Sequence, residues 1–352
     1  MPDWSKSMKQ TFEYYVVDPN TWKDKTRLNN VISSSITRDS SAETKGSASI
    51  DITESVGECY IRIYLITTQD GITEKFPLGT YMVQTPSSSF NGKIRNVSMD
   101  AYTPLIELKE SQPPLGYFIA KGENIVKNAH LLTSTYARAP VVQTTKDTKL
   151  NSDFVADPDD TWMSFLTDLI SNADFTYDLD ELGRILFMPK QNVTSMQPVW
   201  TYNDDNSSIL YPDFEMEHDM YGIPNVVEVL YSNNRDNYYA RVVNDNPDSP
   251  ISTVSRGREI IYRDTKPNII GNPSQAMVEE YAENLLRDLS SIEYTITYKH
   301  GYCPTRVGDC VRLNYERAGI RDVKAKVISQ TIDCRPGCSV SEKAVFTTNL
   351  WR

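Results

Sequence analysis

FPLGTYMVQTPSSSFNGKIRNVSMDAY, residues 76–102, is the stretch that decides the fold class. It contains two runs rich in Val, Tyr, Thr and Met, FPLGTYMVQT and GKIRNVSMDAY, joined by the polar segment PSSSFN. Aromatic and β-branched residues favour strands, whereas Pro, Asn, Ser and Gly favour the turn between them. The stretch therefore predicts a β-hairpin.

Similar short runs fill the rest of the first 105 residues. They predict strands over 11–18, 28–39, 47–53, 59–68, 75–85 and 93–105, at the spacing typical of sandwiches and barrels. Within 59–68, Ile61, Ile63 and Leu65 alternate with Arg62 and Tyr64, which predicts that one face of that strand is packed. Residues 1–105 are expected to form one β domain.

The pattern changes after residue 105. Apolar residues at helical spacing predict a helix over 122–136, and a second helix should follow Asp160, whose carboxylate is a suitable N-cap. The second helix carries an apolar stripe formed by Trp162, Phe165, Leu166, Leu169 and Ile170. Residues 174–189 predict two strands around a DELG turn, so 106–198 is interpreted as a small inserted α+β module.

The last part of the chain, 199–352, returns to strands with one long helix. Strands are predicted over 225–232, 237–245, 258–264, 291–299, 308–315, 323–333 and 343–351. The helix is expected over about 273–290, with Pro273 in its first turn after Asn272. Its apolar face is formed by Met277, Tyr281, Ala282, Leu285, Leu286 and Leu289.

A faint internal repeat links the two β parts. Val83-Gln84-Thr85, Gly92 and Val97-Ser98 have counterparts in Gln330-Thr331, Gly337 and Val340-Ser341. Strand–turn–strand units resemble one another in any β protein, so the pattern only indicates that two related β domains bracket the middle module.

Charge and hydropathy exclude several classes of protein. The 352 residues carry 36 Lys plus Arg against 47 Asp plus Glu, a net charge of −11. Such a chain is a poor general nucleic-acid binder, because phosphate neutralisation needs clustered cations. No apolar run approaches the roughly 18 residues of a membrane helix, and the N-terminal segment lacks the features of a signal peptide. We expect the protein to mature in a cytoplasm.

The five cysteines form no disulfide framework. They are Cys59, Cys303, Cys310, Cys334 and Cys338. Cys334 and Cys338 are separated by three residues, a spacing that structural zinc sites use, whereas the spacing of Cys303 and Cys310 does not fit. Buried, unreactive thiols are the default expectation, and the sequence leaves metal binding by the last four cysteines open.

A search for catalytic signatures finds none. His130, His218 and His300 belong to no metal-binding spacing, and there is no serine nucleophile elbow or phosphate-binding glycine loop. Structural roles are therefore the interpretation for all three histidines. No catalytic, cofactor-binding or metal-binding residue and no cofactor is predicted.

Carboxylates keep one enzymatic alternative open, because glycoside hydrolysis needs only two of them at the right separation. The candidates are Asp157, Asp159 and Asp160, then Asp178, Asp180 and Glu181, then Glu215, Glu217 and Asp219. The first group precedes a helix and the second lies in a turn, so structural roles are favoured for both. The Asp178–Gly183 segment starts like a calcium loop, but Pro189 replaces its closing Glu, which indicates a turn.

The order of these segments resembles that of baseplate hub (tail hub) proteins of tailed bacteriophages and related phage-tail-like particles. The resemblance covers the hairpin with LGTYMV at 78–83, the module with GENIVKNAHLL at 122–132 and the DELG unit at 159–189. It continues through IPNVVEVLYS at 223–232, the helix from 275 and PTRVGDCVRL at 304–313. Each segment is a packing or turn signal, and their order carries the resemblance.

The resemblance implies a fold of two tail-tube-like antiparallel β-barrels flanking the α+β module, with barrels at 1–105 and 199–352. Three chains would then form a ring of six barrels, which joins a sixfold tail tube to a threefold spike or tail tip. The implied partners are the tail tube, spike or tip, tape measure and other baseplate proteins. DNA would pass through the channel as cargo during genome ejection, and an acidic lumen would not grip its phosphates.

The resemblance also places the protein in the distal tail of a virion assembled in the host cytoplasm, with no enzymatic activity. Two alternatives remain, a β-rich carbohydrate-active enzyme and a glycan-binding tail module. The 21 tyrosines do not decide for sugar binding, because many lie inside predicted strands, where packing explains them.

Overall fold

The computed structural model describes the chain except residues 1, 55, 91, 93–94, 192, 233–236, 268, 270–273 and 352. Strands account for 46% of the residues and helices for 15%. The prediction of a mainly β protein with helical segments is therefore confirmed. The strands of the described residues do not close into a barrel, so the expected pair of barrels stays a prediction.

The first 105 residues form seven strands: β1 (Lys9–Val17), β2 (Asp24–Leu28), β3 (Val31–Asp39), β4 (Gly46–Ile52), β5 (Tyr60–Gln69), β6 (Ile72–Phe90) and β7 (Arg95–Tyr102). β6 and β7 pair antiparallel, which confirms the hairpin. The expected strand over 28–39 begins at Val31, and the preceding Asp24–Leu28 is a separate strand that pairs with β1.

The middle part contains short helices and two small sheets: α1 (Ile106–Glu110), β8 (Phe118–Ile119), α2 (Ile125–Tyr136), β9 (Phe154–Val155), α3 (Trp162–Ser171), β10 (Phe175–Leu179) and β11 (Ile185–Pro189). A 3-10 turn follows at Val193–Ser195. The two predicted helices and the strand pair around the DELG turn are confirmed.

The last part contains β12 (Trp200–Asn203), β13 (Leu210–His218), β14 (Val226–Ser232), β15 (Asn237–Val243), α4 (Thr253–Arg256), β16 (Ile261–Asp264), α5 (Gln275–Leu289), β17 (Ser291–Gly301), β18 (Cys310–Tyr315), β19 (Ile320–Asp333) and β20 (Ser339–Asn349). A 3-10 turn at Glu316–Ala318 precedes β19. No helix of the described residues is long and apolar enough to cross a membrane.

One sheet collects most of the strands, in the order β13-β17-β20-β19-β3-β4-β7-β6-β5-β1-β2, with β18 beside β19 and β12 beside β18. β3 and β19 pair antiparallel, so the sheet joins the N-terminal strands to the C-terminal ones. The chain divides into two compact units. The first comprises Met1–Phe214 and Thr297–Ala344, and the second comprises Glu215–Ile296 and Val345–Arg352.

Both faces of β5 are buried. Ile61, Ile63 and Leu65 are fully buried, as predicted, but Arg62 and Tyr64 on the opposite face are only 4% and 8% exposed. A buried guanidinium needs a counter-charge, and Asp24 supplies it at 2.9 Å. The alternating polar residues of β5 therefore form a second buried face, which is polar and not exposed to solvent.

The cap of α3 differs from the expectation. Asp160 was expected at the N-cap, but Thr161 holds that position, and its side chain accepts a hydrogen bond from the Ser164 amide at 3.1 Å. Asp160 instead accepts from the Ser164 hydroxyl at 2.8 Å and from the Asp157 amide at 2.8 Å. Thr161 occupies the N-cap because Ser164, three residues further on, completes a reciprocal capping box with it.

The α-helices of the first unit surround an apolar cluster that we call the helical core. Trp162 and Phe165 of α3 belong to it, and Ile125, Val126, Ala129 and Leu132 of α2 pack into it. The five predicted stripe residues of α3 are all buried. Burial of these side chains away from water stabilises the module, at about 25 cal/mol per Å² of apolar surface.

In the second unit, α5 packs on the sheet β15-β14-β16. Val278, Ala282 and Leu286 are its buried stripe, flanked by half-buried Tyr281 and Leu285. The stripe is therefore centred one position away from the predicted one, which omitted Val278. The helix is capped by Ser274, and the expected Asn272 and Pro273 lie outside the described residues.

The two hairpins of the internal repeat both exist. β6 pairs with β7, and β19 is next to β20. Gly92 and Gly337 lie in the connecting turns with φ of 88° and 98°, a region that glycine occupies without strain. A common origin of the two hairpins stays a prediction.

Candidate functional site

A cleft of about 410 Å³ lies in the first unit and is the starting point for a functional site. It is lined by the end of β3, the middle of β6, the β10–β11 hairpin and residues 306–308. Segments that are far apart in sequence therefore meet here.

The tip of the β10–β11 hairpin is fastened to the N-terminal strands through one backbone oxygen. The Leu182 carbonyl accepts hydrogen bonds from Trp22 Nε1 at 2.8 Å, Arg62 Nη2 at 3.1 Å and Thr80 Oγ1 at 2.9 Å. The next residue, Gly183, has φ of 74°, and a Cβ there would lie 2.7 Å from the Thr80 Cβ. The DELG turn therefore needs its glycine both for its conformation and for this close approach.

Arg306 fastens the same hairpin from the C-terminal side. Its Nε lies 2.7 Å from Glu181 Oε1, and its Nη2 donates to the Leu179 carbonyl. Asp309 accepts from the Arg306 amide at 2.9 Å, which fixes the turn that carries the guanidinium. We call this arrangement of Leu182, Glu181 and Arg306 with their partners the hairpin junction.

Asp178 lies on the wall of the cleft beside basic groups. Burial raises the pKa of its carboxyl group, and Arg306, Lys45 and Arg38 counteract part of that effect. The Leu179 amide donates to its Oδ1 at 2.8 Å. Burial also lowers the pKa of Lys45, which donates to the Ser40 carbonyl at 2.7 Å.

Arg38, which lines the same cleft, contacts a second polar group deeper in the unit. Its Nη2 donates to the Leu78 carbonyl at 2.6 Å and its Nη1 to Gln330 Oε1 at 3.2 Å. The amide nitrogen of Gln330 in turn donates to Glu342 and, at 3.0 Å, to the Thr305 carbonyl. Fully buried polar groups require such partners.

Glu342 is the centre of this buried group, which we call the Glu342 cluster: Tyr202, Tyr298, His300, Cys303, Thr305, Gln330 and Glu342. The carboxylate accepts from Tyr298 Oη and Thr305 Oγ1, both at 2.7 Å, and lies 3.3 Å from His300 Nε2. Both His300 and Glu342 have 0% side-chain exposure.

The two central residues of the cluster form an ion pair. Burial alone would lower the pKa of His300, but the Glu342 carboxylate and its hydrogen bonds raise it to about 10. Burial alone would raise the pKa of Glu342, but His300 and the donated hydrogen bonds lower it to about 2. His300 Nδ1 lies 2.7 Å from the Gly301 carbonyl, so a protonated ring places a donor on each side.

Three of the nine candidate carboxylates come together, and the others do not join them. Asp178 and Glu181 reach the junction, and Asp180 accepts from Arg184 Nε at 2.5 Å in the turn between them. Asp157, Asp159 and Asp160 lie in the turn before α3, and Glu215, Glu217 and Asp219 are exposed on or after β13. The DELG segment is a turn, as predicted.

The three histidines occupy different environments. His130 packs edge-on against Phe187 at 5.1 Å and accepts from the Thr144 amide, and burial lowers its pKa. His218 is exposed beside Tyr294, at 4.9 Å between ring centroids.

The cysteines are free thiols. Cys303, Cys310, Cys334 and Cys338 are buried and Cys59 is half-buried, so the default expectation of buried thiols holds for four of the five. Burial raises the pKa of Cys334 to about 12 and that of Cys338 further, which suppresses the reactive thiolate. Within the part of the chain that the structure describes, no three His, Cys, Asp or Glu residues are grouped as metal ligands would be.

Sequence reasoning missed the residues that organise both polar groups. Arg306 and Glu342 were not singled out, because each lies just before a predicted strand, at 308–315 and 343–351 respectively. The alternation of β20 is a usable signal, because Glu342 falls in phase with Val340 and Ala344, which are buried. The Leu182 carbonyl has no sequence signal at all.

Chemically, this site holds segments together. At the junction, Glu181 is paired with Arg306, Asp180 with Arg184, and Asp178 with a backbone amide. The arrangement suits a fixed joint between the middle module and the strands on both sides of it.

Comparisons with known proteins identify solved structures of the same fold. No protein-family model and no curated protein sequence matches the chain. The tail protein from Neisseria meningitidis is 14% identical, with a TM-score of 0.61 over 97% of this chain and 98% of its own. The 43 kDa tail protein of prophage MuSo2 from Shewanella oneidensis is 11% identical, with a TM-score of 0.60 over 95% and 98%.

A third structure extends the comparison beyond phages. A component of the type VI secretion system of E. coli, described as structurally similar to the T4 bacteriophage tail proteins gp27 and gp5, is 8% identical. Its TM-score is 0.50 over 90% of this chain and 73% of its own. The resemblance to tail hub proteins is thus confirmed at the level of the fold: along nearly its whole length, the chain has the fold of phage tail proteins.

Proposed function

We propose that the protein is a structural component of a phage tail, the hub of the baseplate at the distal end. The observation that carries this proposal is the fold match over 97% and 95% of the chain with two tail proteins that are themselves covered to 98%. A match of both chains over their full length includes the helical module and the second unit, so it is more specific than a shared β-sheet.

In the proposed assembly, three copies form a ring that joins a sixfold tail tube to a threefold spike or tail tip. Each copy contributes two tube-like barrels, from 1–105 and 199–352, around the module at 106–198. Two hairpins with a positive-φ glycine in each turn support such a duplication. The net charge of −11 suits a channel through which DNA passes to the host.

The proposed partners are the tail tube, spike or tip, tape measure and other baseplate proteins, in a virion assembled in the host cytoplasm. We propose no enzymatic activity. The fold match with two tail proteins over nearly their whole length supports this.

Negative-stain electron microscopy of the purified protein tests the proposal. We expect rings with threefold or pseudo-sixfold symmetry and a central channel, and a particle mass near 120 kDa, three times the 40.0 kDa of the chain. Sedimentation equilibrium would measure that mass independently.

Particles that stay at 40.0 kDa and cleave or bind glycans would overturn the hub in favour of a carbohydrate-active enzyme or glycan-binding tail module. In that event, Asp178→Asn and Glu181→Gln separate the two, because only an enzyme would lose turnover while glycan binding persists.

A further inference from the structure

The two end strands of the large sheet carry opposite charge. β13 is at one end of the strand order and β2 is at the other. Asp213, Glu215 and Glu217 alternate along β13 and are exposed. Lys25 and Arg27 of β2 are exposed and, being two residues apart in the strand, point the same way, and Lys23, directly before the strand, is also exposed.

Among the residues that the structure describes, β13 is hydrogen-bonded to a strand on one side only, that of β17. It is nine residues long, yet only Leu210 and Phe214 are half-buried and the other seven residues are exposed. Tyr211 and Met216 are 40% and 47% exposed. Such a strand presents backbone donors and acceptors to any strand that fits. Pro212 lacks an N–H, so the usable part is Asp213–His218.

β2 offers a matching basic edge. Its one carboxylate, Asp24, is turned to Arg62 at 2.9 Å and Tyr64 at 2.7 Å. The charges that β2 shows to solvent therefore belong to Lys25 and Arg27, and Arg27 is 50% exposed beside Glu13. The strand pairs with β1 on its other side.

The sign of these charges decides which contacts can form. Charged edges keep copies of a protein apart when both edges carry the same sign. Here two β13 edges or two β2 edges would repel each other, whereas β13 of one copy attracts β2 of another. A contact between two different patches of identical chains is heterologous, and repeating it closes a ring if the rotation is suitable.

We propose that Asp213–His218 of one copy pairs edge to edge with Asp24–Leu28 of the next copy. This proposal rests on the proposed ring of copies and adds the surfaces through which they associate. Cross-strand pairs between Glu215 or Glu217 and Lys23 or Lys25 would set the register.

A charge swap tests the proposal. Glu215→Lys with Glu217→Lys reverses the acidic edge, and Lys23→Glu with Lys25→Glu reverses the basic edge while leaving Arg27 and its Glu13 partner intact. We expect each reversal to weaken self-association, measured by analytical ultracentrifugation, by at least ~10-fold, because like charges then face each other. Combining all four changes should restore association to within about threefold of the original protein.

A matched control carries the same change of net charge at another surface. Glu280→Lys with Glu283→Lys lies on the exposed side of α5, where both residues face solvent. This variant should associate like the original protein. Hydrogen exchange provides a second measurement, since the amides of 24–28 and 213–218 should gain protection as the concentration is raised through the association range.

The outcomes separate this proposal from the proposed function. A threefold ring that survives every charge reversal, or that leaves both edges unprotected, would overturn the edge pairing and leave the hub intact. A protein that remains monomeric at every concentration would overturn both. Restoration by the combined variant, with an unaffected α5 control, would establish the edge pairing.

Discussion

Two buried regions of the first unit contrast in composition. The helical core is filled by apolar side chains, with Trp162, Phe165 and Leu169 all within 2% exposure. The Glu342 cluster is equally buried but is built around an ion pair and the hydrogen bonds that surround it. Both regions therefore exclude water, the helical core by apolar packing and the Glu342 cluster by pairing its polar groups with one another.

The difference concerns what each region tolerates. Apolar packing is non-directional, so a smaller side chain costs the lost contacts and the cavity. A buried polar group is directional, and removing one member leaves its partners without hydrogen bonds in a medium of low polarity. The Glu342 cluster should consequently be the more sensitive of the two, and it fixes one arrangement of β12, β17, β19 and β20.

The largest expected effect is that of Glu342→Ala. It removes the acceptor of Tyr298 and Thr305 and leaves His300 without its counter-ion. We expect the free energy of unfolding to fall by about 3–5 kcal/mol, as for other broken buried pairs. Urea unfolding followed by tryptophan fluorescence measures it. A loss no larger than that of an exposed glutamate such as Glu280→Ala would contradict the assignment.

A cavity in the helical core should cost slightly less. Leu169 of α3 is 0% exposed, and Leu169→Ala should lower the free energy of unfolding by about 2–5 kcal/mol. Leu131 of α2 is 65% exposed and provides the matched control, because Leu131→Ala deletes the same side-chain atoms at the surface. This variant should change the free energy of unfolding by no more than about 0.5 kcal/mol. Equal losses at the two positions would show that the helical core is not packed as described.

The pH dependence of stability separates the two regions further. The pKa of His300 rises from 6.5 to about 10 on folding, so its contribution is complete below pH 6.5 and is lost as the pH rises towards 10. The pKa of Glu342 falls from 4.5 to about 2, so its contribution is present above pH 4.5 and is lost as the pH falls towards 2. From this pair, stability should be greatest between pH 4.5 and 6.5.

His300→Gln supplies the comparison for this prediction. The variant should lack the part of the alkaline loss that belongs to His300, whereas Leu169→Ala should keep it unchanged. Thermal unfolding at a series of pH values measures both. The effect should be smaller than that of Glu342→Ala, because deprotonation of His300 leaves the hydrogen bonds from Tyr298 and Thr305 in place. Parallel pH profiles for the original protein and His300→Gln would refute the ion pair.

The smallest expected effect lies at the entrance to the helical core. Thr161→Ala removes the side-chain acceptor of the Ser164 amide and should cost about 1 kcal/mol. Thr161→Asp should retain most of the stability, because Asp is an equally good N-cap. Asp160→Ala should cost less than Thr161→Ala if the cap lies at 161, and the reverse order would restore Asp160 as the cap.

Much of the fold could be predicted from local pattern. The hairpin at 76–102, the helix stripe from Trp162 to Ile170 and the DELG turn follow from periodicity and turn chemistry that act over a few residues. The misplaced details have local causes as well. Asp160 and Thr161 are both good caps, and only the hydroxyl of Ser164 decides between them. The buried stripe of α5 includes Val278, which the predicted apolar face omits.

The polar sites could not be predicted in the same way. Tyr202, His300 and Glu342 are separated by 98 and 42 positions, yet their side chains meet within hydrogen-bond range. Arg306 and Glu181 are 125 positions apart in the chain, yet they form an ion pair. Each of these residues alone is compatible with a solvent-exposed role. Only a partner from a distant segment offsets the free-energy cost of burying its polar group.

The sequence by itself determined which segments are strands, helices and turns, and the order of segments that resembles tail hub proteins. These features depend on side-chain periodicity and turn residues, which are local properties. The tertiary structure alone decided that β3 lies beside β19, that the Leu182 carbonyl fastens the hairpin, and that His300 lies beside Glu342. Those outcomes depend on contacts between distant residues, whose free energies exist only once the strands have paired.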